Sequence, residues 1–150
     1  MPGGGVNLLH SEYAKAADLL FEIAMSKNNH GTYFPIWATC LSFEKLVTYF
    51  TGNNLKWQSF CDVQDVSLNL IFPQGLNKTR STVRMFRNSP AYILDILAHK
   101  NVTANYHRIC LSVDTFEANK NLTGKWLSLE IADFILGGVK VLKHIFFKNS

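Results

Sequence analysis

One segment, residues 33–44 with the sequence YFPIWATCLSFE, most constrains what this chain can fold into. It predicts a short apolar strand over residues 33–39, a tight turn with Cys40 at its tip, and a helix from about residue 42 to residue 49. A turn of this kind points the thiol toward a helix N-terminus, where unpaired N–H groups and the helix dipole favour the nucleophilic thiolate.

Two interpretations of Cys40 follow from the residues alone. A strand, a nucleophile and a helix in this order form the nucleophile elbow of many hydrolases. A single cysteine after an apolar strand is, however, more often a small buried residue. The spacing leaves both interpretations open.

Length and composition limit the protein class. A chain of 150 residues, 47% hydrophobic and 17% charged, fits one globular domain with its own core. The net charge of +4 comes from scattered lysines and arginines, which indicates a solvated surface rather than a nucleic-acid interface. No apolar run is long enough to span a bilayer, and no signal peptide is visible at the start.

The three cysteines, Cys40, Cys61 and Cys110, can form at most one disulfide, so at least one thiol stays free. None has C-x-x-C spacing, which disfavours a zinc site. We therefore expect no metal and no cofactor.

Three N-x-T sequons begin at Asn77, Asn101 and Asn121, and all three are glycosylation acceptors. Together they favour a secretory or lysosomal route. Because no signal peptide precedes them, we expect that the chain lacks the start of its parent protein.

The remaining pattern alternates helices with strands. A helix is predicted over residues 11–27 with Ser11 as its N-cap, and another over residues 90–98. A strand is predicted over residues 65–72, and residues 104–107 and 108–113 are predicted to form one strand or a pair of short strands. Such interleaving predicts βαβ units and a largely parallel sheet. The apolar face of the first helix is predicted to contain Tyr13, Ala17, Leu20, Phe21 and Ala24.

The segment around Cys40 resembles the nucleophile segment of the gamma-glutamyl hydrolases, which are class I glutamine amidotransferase-like cysteine peptidases. Further motifs occur in the same order: PGGGVNL at residues 2–8, SEYAK at 11–15, RMFRN at 84–88 and TANYH at 103–107. The resemblance implies an α/β fold, as a partial three-layer αβα sandwich of the flavodoxin-like type with a mostly parallel sheet. It covers a partial hydrolase domain over residues 1–123, followed by a divergent C-terminal tail over residues 124–150.

The resemblance also implies a reaction. These enzymes remove gamma-linked glutamates from folylpolyglutamates by acyl transfer to a cysteine, and the matching position in this chain is Cys40. The matching hydrogen-bond donors for the oxyanion are the backbone N–H of Leu41 and a backbone N–H of the Gly3–Gly4 turn. A lysosomal or extracellular location is implied, and a homodimer is left open.

Two further residues match family positions near the substrate. Glu44 is implied to lie near the substrate glutamate, although an acid in a first helical turn is also favoured by the dipole alone. His107 is implied to belong to the active site, although a hydrogen-bonded, partly buried histidine is the alternative. Phe34 and Trp37 are predicted to lie in the core rather than to form a substrate platform.

The chain departs from the family at two points. The family turn reads G-x-C-x-G, whereas this chain has Ala38 and Ser42, and we expect these side chains to strain the turn. The family general base lies in a His-Pro-Glu triplet, which this sequence does not contain. A catalytically inactive truncated remnant is therefore the alternative function. The apolar segment over residues 127–147 is predicted to form an amphipathic helix or to be poorly ordered.

Overall fold

The computed structural model describes residues 1, 3–72 and 88–123, together with the backbone of residues 126–127, 141–142 and 146–147. Within these ranges the chain is an α/β protein. Its elements in chain order are α1 (Glu12–Asn29), α2 (Leu41–Phe50), β1 (Gln58–Leu68), α3 (Ala91–His99), β2 (Thr103–Ser112), α4 (Val113–Ala118), α5 (Lys120–Thr123), β3 (Trp126–Leu127), β4 (Val141–Leu142) and β5 (Phe146–Phe147).

The first helix begins where the sequence predicts. Ser11 is the N-cap of α1, and its Oγ accepts a hydrogen bond from the Ala14 N–H at 3.0 Å. The buried stripe lies at spacings of three and four residues. Leu20 was predicted on this stripe, but it is 45% exposed because it lies one residue, about 100°, away from Phe21 around the helix. The buried positions are Ala14, Ala17, Phe21 and Ala24.

Helix α2 lies at the centre of the core. Its residues are buried on nearly every side, apart from Glu44 and Tyr49, which are half-buried. Leu46 and Val47 pack in one apolar cluster with Phe21 of α1 and Leu111 of β2. Helix α2 therefore packs between α1 and strand β2. This packing fixes the turn at the N-terminus of α2.

Strands β1 and β2 form an antiparallel pair with two irregularities in β1, one of them at Asp65, whose φ is 54°. A disulfide joins Cys61 of β1 to Cys110 of β2, with their Cα atoms 5.9 Å apart. Cys40 is the free thiol. This outcome agrees with the prediction of one disulfide at most.

The predicted parallel sheet is not seen in the described part of the chain. β2 pairs with β4 and β3 pairs with β5, and both pairs are antiparallel, like β1 and β2. Residues 104–113, predicted as one strand or a pair of short strands, correspond to the one continuous strand β2 (Thr103–Ser112). Strand β1 begins seven residues before the predicted start at residue 65.

Residues 33–39, predicted as a strand, form an irregular extended segment without a strand partner in the described structure. Their backbone groups bond elsewhere. The Asn28 side chain accepts from the Phe34 N–H at 3.1 Å and donates to the Phe34 carbonyl at 2.8 Å. The Met1 amine donates to the Trp37 carbonyl at 2.7 Å. Backbone groups bonded in this way do not need a neighbouring strand.

The described residues of the tail are strands and not the amphipathic helix, which was one of the two alternatives for residues 127–147. The pairing of Val141 and Leu142 with β2 connects the tail to the β1–β2 pair. The division of the chain at residue 123 stays a prediction. No helix among the described residues is both long enough and apolar enough to cross a bilayer.

Candidate active site

Cys40 occupies a sharp turn directly before α2. Its backbone has φ 57° and ψ −118°, a conformation that a residue with a side chain rarely adopts. The Cys40 carbonyl accepts the Glu44 N–H at 3.1 Å, and the Thr39 carbonyl accepts the Ser42 N–H at 3.2 Å. The thiol is half-buried at the N-cap position of the helix. The predicted turn and helix are therefore confirmed, whereas the role of Cys40 as a nucleophile stays a prediction.

The opening glycines lie against this turn. A Cβ added to Gly3 would lie 2.9 Å from Cys40 Cβ and 3.3 Å from its Sγ. A Cβ added to Gly4 would lie 3.5 Å from Leu41 Cδ2. A contact of 2.9 Å is too short for carbon atoms, so only glycine lets the residue 3 backbone approach this closely. The structure thus brings Gly3 and Gly4 together with Cys40 and Leu41.

Glu44 lies one helical turn after Cys40, on the same face of α2. Its side chain is half-buried, and burial raises the pKa of this carboxyl above its ordinary value of 4.5. The protonated form of Glu44 is therefore favoured in the folded chain. A protonated carboxyl can donate a hydrogen bond as well as accept one.

Glu44 should make stability depend on pH in a defined direction. Because its folded pKa is raised, the folded chain holds the proton more tightly, and stability falls as the pH rises from below 4.5 through the folded value. We expect Glu44→Gln to increase the free energy of unfolding at pH 7 relative to the original chain, and to change it less at pH 4. Urea unfolding at both pH values measures this difference.

The matched control for this prediction is Glu117→Gln, which changes an exposed acid in α4. It should alter the unfolding midpoint by a similar amount at both pH values. A Glu44→Gln chain that is less stable than the original at pH 7 would contradict the prediction.

Ala38 and Ser42 do not strain the turn, so that expectation is wrong. Among the described residues, the non-glycine positions with positive φ are Cys40, Asn53 and Asp65. Ser42 lies in α2 with helical geometry and is fully buried. The strain falls on the cysteine itself.

His107 lies on β2 opposite Val63 and is half-buried. Strand alternation places it on the same face as Ile109 and Leu111, the face that packs toward α2. Leu111 is four residues further along, or about 13 Å in an extended strand. His107 therefore lies on the core-facing side of the β1–β2 pair, and its role in the active site stays a prediction.

Phe34 and Trp37 are not core residues, contrary to the prediction. They are 38% and 54% exposed, because the irregular segment runs over the surface rather than within a sheet. The Trp37 indole N–H donates at 2.9 Å to Oγ1 of Thr39, which is the residue before Cys40.

The remaining predicted positions divide into two groups. Asn101 and Asn121 are exposed, as acceptors of glycans must be. Asn77 and the motif residue Arg84 lie outside the described residues. In the described ranges, no group of histidine, cysteine, aspartate and glutamate side chains could hold a metal ion.

Sequence reasoning missed two residues beside the cysteine. The Tyr13 phenol of α1 forms a hydrogen bond with Ser42 and lies close enough to Cys40 for their charges to interact. Ser42 in turn bonds to the backbone of Thr39 and Met1. The sequence signal that could have pointed to Ser42 is its position two residues after Cys40, within the predicted turn.

The described structure is an α/β protein whose free thiol lies on a strained turn before a buried helix, beside two glycines. This arrangement resembles the nucleophile turn of cysteine hydrolases, although residues 33–39 form no paired strand before it in the described structure.

Sequence comparison gives the family. The chain is 40% identical over 122 residues to gamma-glutamyl hydrolase of Mus musculus, a match of 81% of this chain and 37% of that protein. It is 39% identical over 121 residues to gamma-glutamyl hydrolase of Homo sapiens, covering 36% of it, and 30% identical over 124 residues to gamma-glutamyl hydrolase B of Dictyostelium discoideum. No protein-family model matches the chain.

About four-fifths of the chain is thus related to the gamma-glutamyl hydrolases, which confirms the resemblance inferred from the motifs. The chain spans a little over a third of the length of the mammalian relatives.

Proposed function

We propose that this chain acts as a gamma-glutamyl hydrolase, which cleaves gamma-linked glutamates from folylpolyglutamates through Cys40. The observation that carries the proposal is the contact between the Gly3 backbone and the strained Cys40 turn. A thiol at a helix N-terminus with backbone amides beside it has donors close at hand for a negative charge that develops on the substrate oxygen.

In the proposed reaction, the Cys40 thiolate attacks the carbonyl carbon of the gamma-linked amide. The carbonyl oxygen becomes an oxyanion, which accepts hydrogen bonds from the Leu41 N–H and from the Gly3–Gly4 backbone. The C–N bond of the tetrahedral species breaks to leave a thioester, and the departing amine takes up the proton that the Cys40 thiol released on ionising. Water then attacks the thioester carbonyl, which releases the acid and restores the thiol.

Glu44 and His107 are proposed to bind the substrate. Glu44 lies one turn beyond Cys40 on the same face of α2, where a protonated carboxyl could donate to a carboxylate of the glutamate tail. His107, when protonated, would attract the same negative charge from β2. Both groups can thus recognise the polyanionic tail of the substrate.

A second candidate is a non-catalytic protein that binds glutamate-tailed ligands. It is favoured by the absence of a His-Pro-Glu triplet among the five histidines of this sequence. A cysteine without a positioned imidazole lacks a general base for its own activation and an acid for the leaving amine.

Cleavage of folylpentaglutamate separates the two candidates. The purified chain should convert it to folates with fewer glutamates, identified by mass, and should leave an alpha-linked pentaglutamate uncleaved. No shortened folate over an extended incubation would refute the hydrolase. Binding of folylpentaglutamate by calorimetry, without cleavage, would then support the second candidate.

Gly3→Ala should reduce this hydrolysis strongly. The added Cβ would lie 2.9 Å from Cys40 Cβ, so the glycine segment or the turn must shift. A displacement of about 1 Å at a reacting centre can cost roughly 100-fold, and we expect kcat to fall by about 10- to 100-fold. Steady-state kinetics on folylpentaglutamate measure the effect.

Gly5→Ala is the matched control, because a Cβ at Gly5 has no atom within 4 Å. It should leave kcat within about twofold of the original, as expected for a surface substitution. Equal activity of the Gly3→Ala and Gly5→Ala chains would contradict the proposed role of the glycine turn.

A lysosomal or extracellular location is proposed with this function. The Cys61–Cys110 disulfide supports it, since such bonds persist in oxidising compartments. Asn101 and Asn121 are exposed and can carry N-glycans. Peptide-N-glycosidase should lower the mass of the chain made in a secretory pathway, and an unchanged mass would refute glycosylation. The homodimer stays a prediction.

A further inference from the structure

Ser42 is a fully buried hydroxyl at the junction of three segments. Its Oγ accepts the Thr39 N–H at 2.7 Å and lies 2.9 Å from the Met1 carbonyl, to which it can donate. The Thr39 carbonyl is a second acceptor at 2.9 Å. A hydroxyl has one proton and two lone pairs, so Ser42 can donate to only one of the two carbonyls at a time, while the Thr39 N–H occupies one of its lone pairs.

These bonds connect the parts of the proposed site. Thr39 precedes Cys40 and belongs to the nucleophile turn, whereas Met1 is two residues before Gly3. The bond to the Met1 carbonyl therefore holds the start of the glycine segment on the turn. Gly3 then contacts Cys40 so closely that no side chain would fit between them.

We propose that Ser42 is a positioning residue, whose buried hydroxyl fastens the glycine segment to the Cys40 turn and so aims the backbone donors of Gly3 and Gly4 at the reacting carbonyl. Only the catalytic part of this inference rests on the proposed function. A glycine at this position, as in the family pattern G-x-C-x-G, has no hydroxyl and cannot make these bonds.

Tyr13 supports Ser42 from the side of α1. The Tyr13 phenol forms a hydrogen bond with the Ser42 hydroxyl. Burial raises the pKa of Tyr13, the Ser42 hydrogen bond lowers it, and the neighbouring Cys40 raises it again, so the net direction is upward. Tyr13 therefore keeps its proton at neutral pH.

Amide hydrogen exchange tests the fastening without requiring activity. In Ser42→Gly, the peptide that contains Thr39 should exchange about 10- to 100-fold faster, because the Thr39 N–H loses its buried acceptor. Peptides from β1 and β2 should keep their rates. Ser26→Gly is the matched control, since it introduces glycine at an exposed position of α1. Unchanged exchange at Thr39 in Ser42→Gly would overturn the inference.

Kinetics test the catalytic part. Ser42→Gly should lower kcat on folylpentaglutamate by about 10- to 100-fold and leave KM within about twofold, because the donors act on the transition state. Ser42→Thr, which keeps the hydroxyl, should recover most of kcat. A Ser42→Gly chain as active as the original would overturn the positioning role.

Two further outcomes keep the proposals separable. If the original chain does not cleave the substrate, the proposed function fails, and the exchange measurement still decides the role of Ser42. If Ser42→Gly does not fold, Tyr13→Phe takes its place, since it removes one bond to Ser42. It should raise exchange at Thr39 by about threefold, and no rise would overturn the inference.

Discussion

Cys40→Ala is expected to reduce cleavage of folylpentaglutamate by at least about 10³-fold, to the background rate. In the proposed reaction the Cys40 sulfur forms the covalent bond to the substrate, and alanine has no atom that can replace it. The turn should keep its shape, because the neighbouring contacts of Ser42 and Gly3 do not require the sulfur. Rates of glutamate release for both chains, measured with equal amounts of folded protein, give the ratio.

Alkylation provides an independent check on the same atom. Cys61 and Cys110 are joined, so Cys40 is the thiol free to react with iodoacetamide. The unreduced chain should gain one adduct and lose its activity, while Cys40→Ala should gain none. Hydrolysis that survives either treatment would show that another residue is the nucleophile.

Asp18→Asn is expected to lower the free energy of unfolding by about 3 kcal/mol, among the largest effects of a single change in this chain. Lys45 of α2 is buried, with a side chain only 1% exposed, and its Nζ lies 2.7 Å from Asp18 Oδ1 of α1. Asparagine has nearly the same shape but no charge. The Lys45 ammonium would then stay in the core without a counter-charge, which costs several kcal/mol.

The reverse change should cost much less. In Lys45→Met the remaining Asp18 side chain is 29% exposed and can be solvated, while methionine fills the space of the lysine stem. The double variant Asp18→Asn with Lys45→Met should regain most of the stability lost in Asp18→Asn alone. Urea unfolding measures all three, and a loss below about 0.5 kcal/mol in Asp18→Asn would contradict the ion pair's role.

Helices α1, α2 and α3 could be predicted from the sequence because their signals are local, whereas α4 and α5 were not predicted. Ser11 caps α1 through a contact only three residues away, and the spacing of Ala17, Phe21 and Ala24 marks the buried stripe. The turn at Cys40 was predictable for the same reason, since an apolar segment is followed directly by a helical one. The resemblance to the gamma-glutamyl hydrolases added the roles of the residues but not their contacts.

The partners of the extended segments could not be predicted in the same way, because they are distant in sequence. Residues 33–39 have a strand-like apolar pattern, yet the Asn28 side chain bonds the Phe34 backbone and removes the need for a strand partner. The disulfide partners also follow from the β1–β2 register rather than from cysteine spacing. The sequence pattern predicts that Ser42 strains the turn, whereas its bonds to Thr39 and Met1 show that its hydroxyl is accommodated there.

The three cysteine sulfurs of this chain require opposite redox conditions. The Cys40 thiol can react as a thiol only while it is reduced, whereas Cys61 and Cys110 crosslink β1 and β2 only while they are oxidised. A strong dithiol in the buffer would protect the first and sever the crosslink, while an oxidant would spare the crosslink and consume the thiol. Handling of the protein should therefore use a weak monothiol or none, with the redox state of all three sulfurs verified by mass.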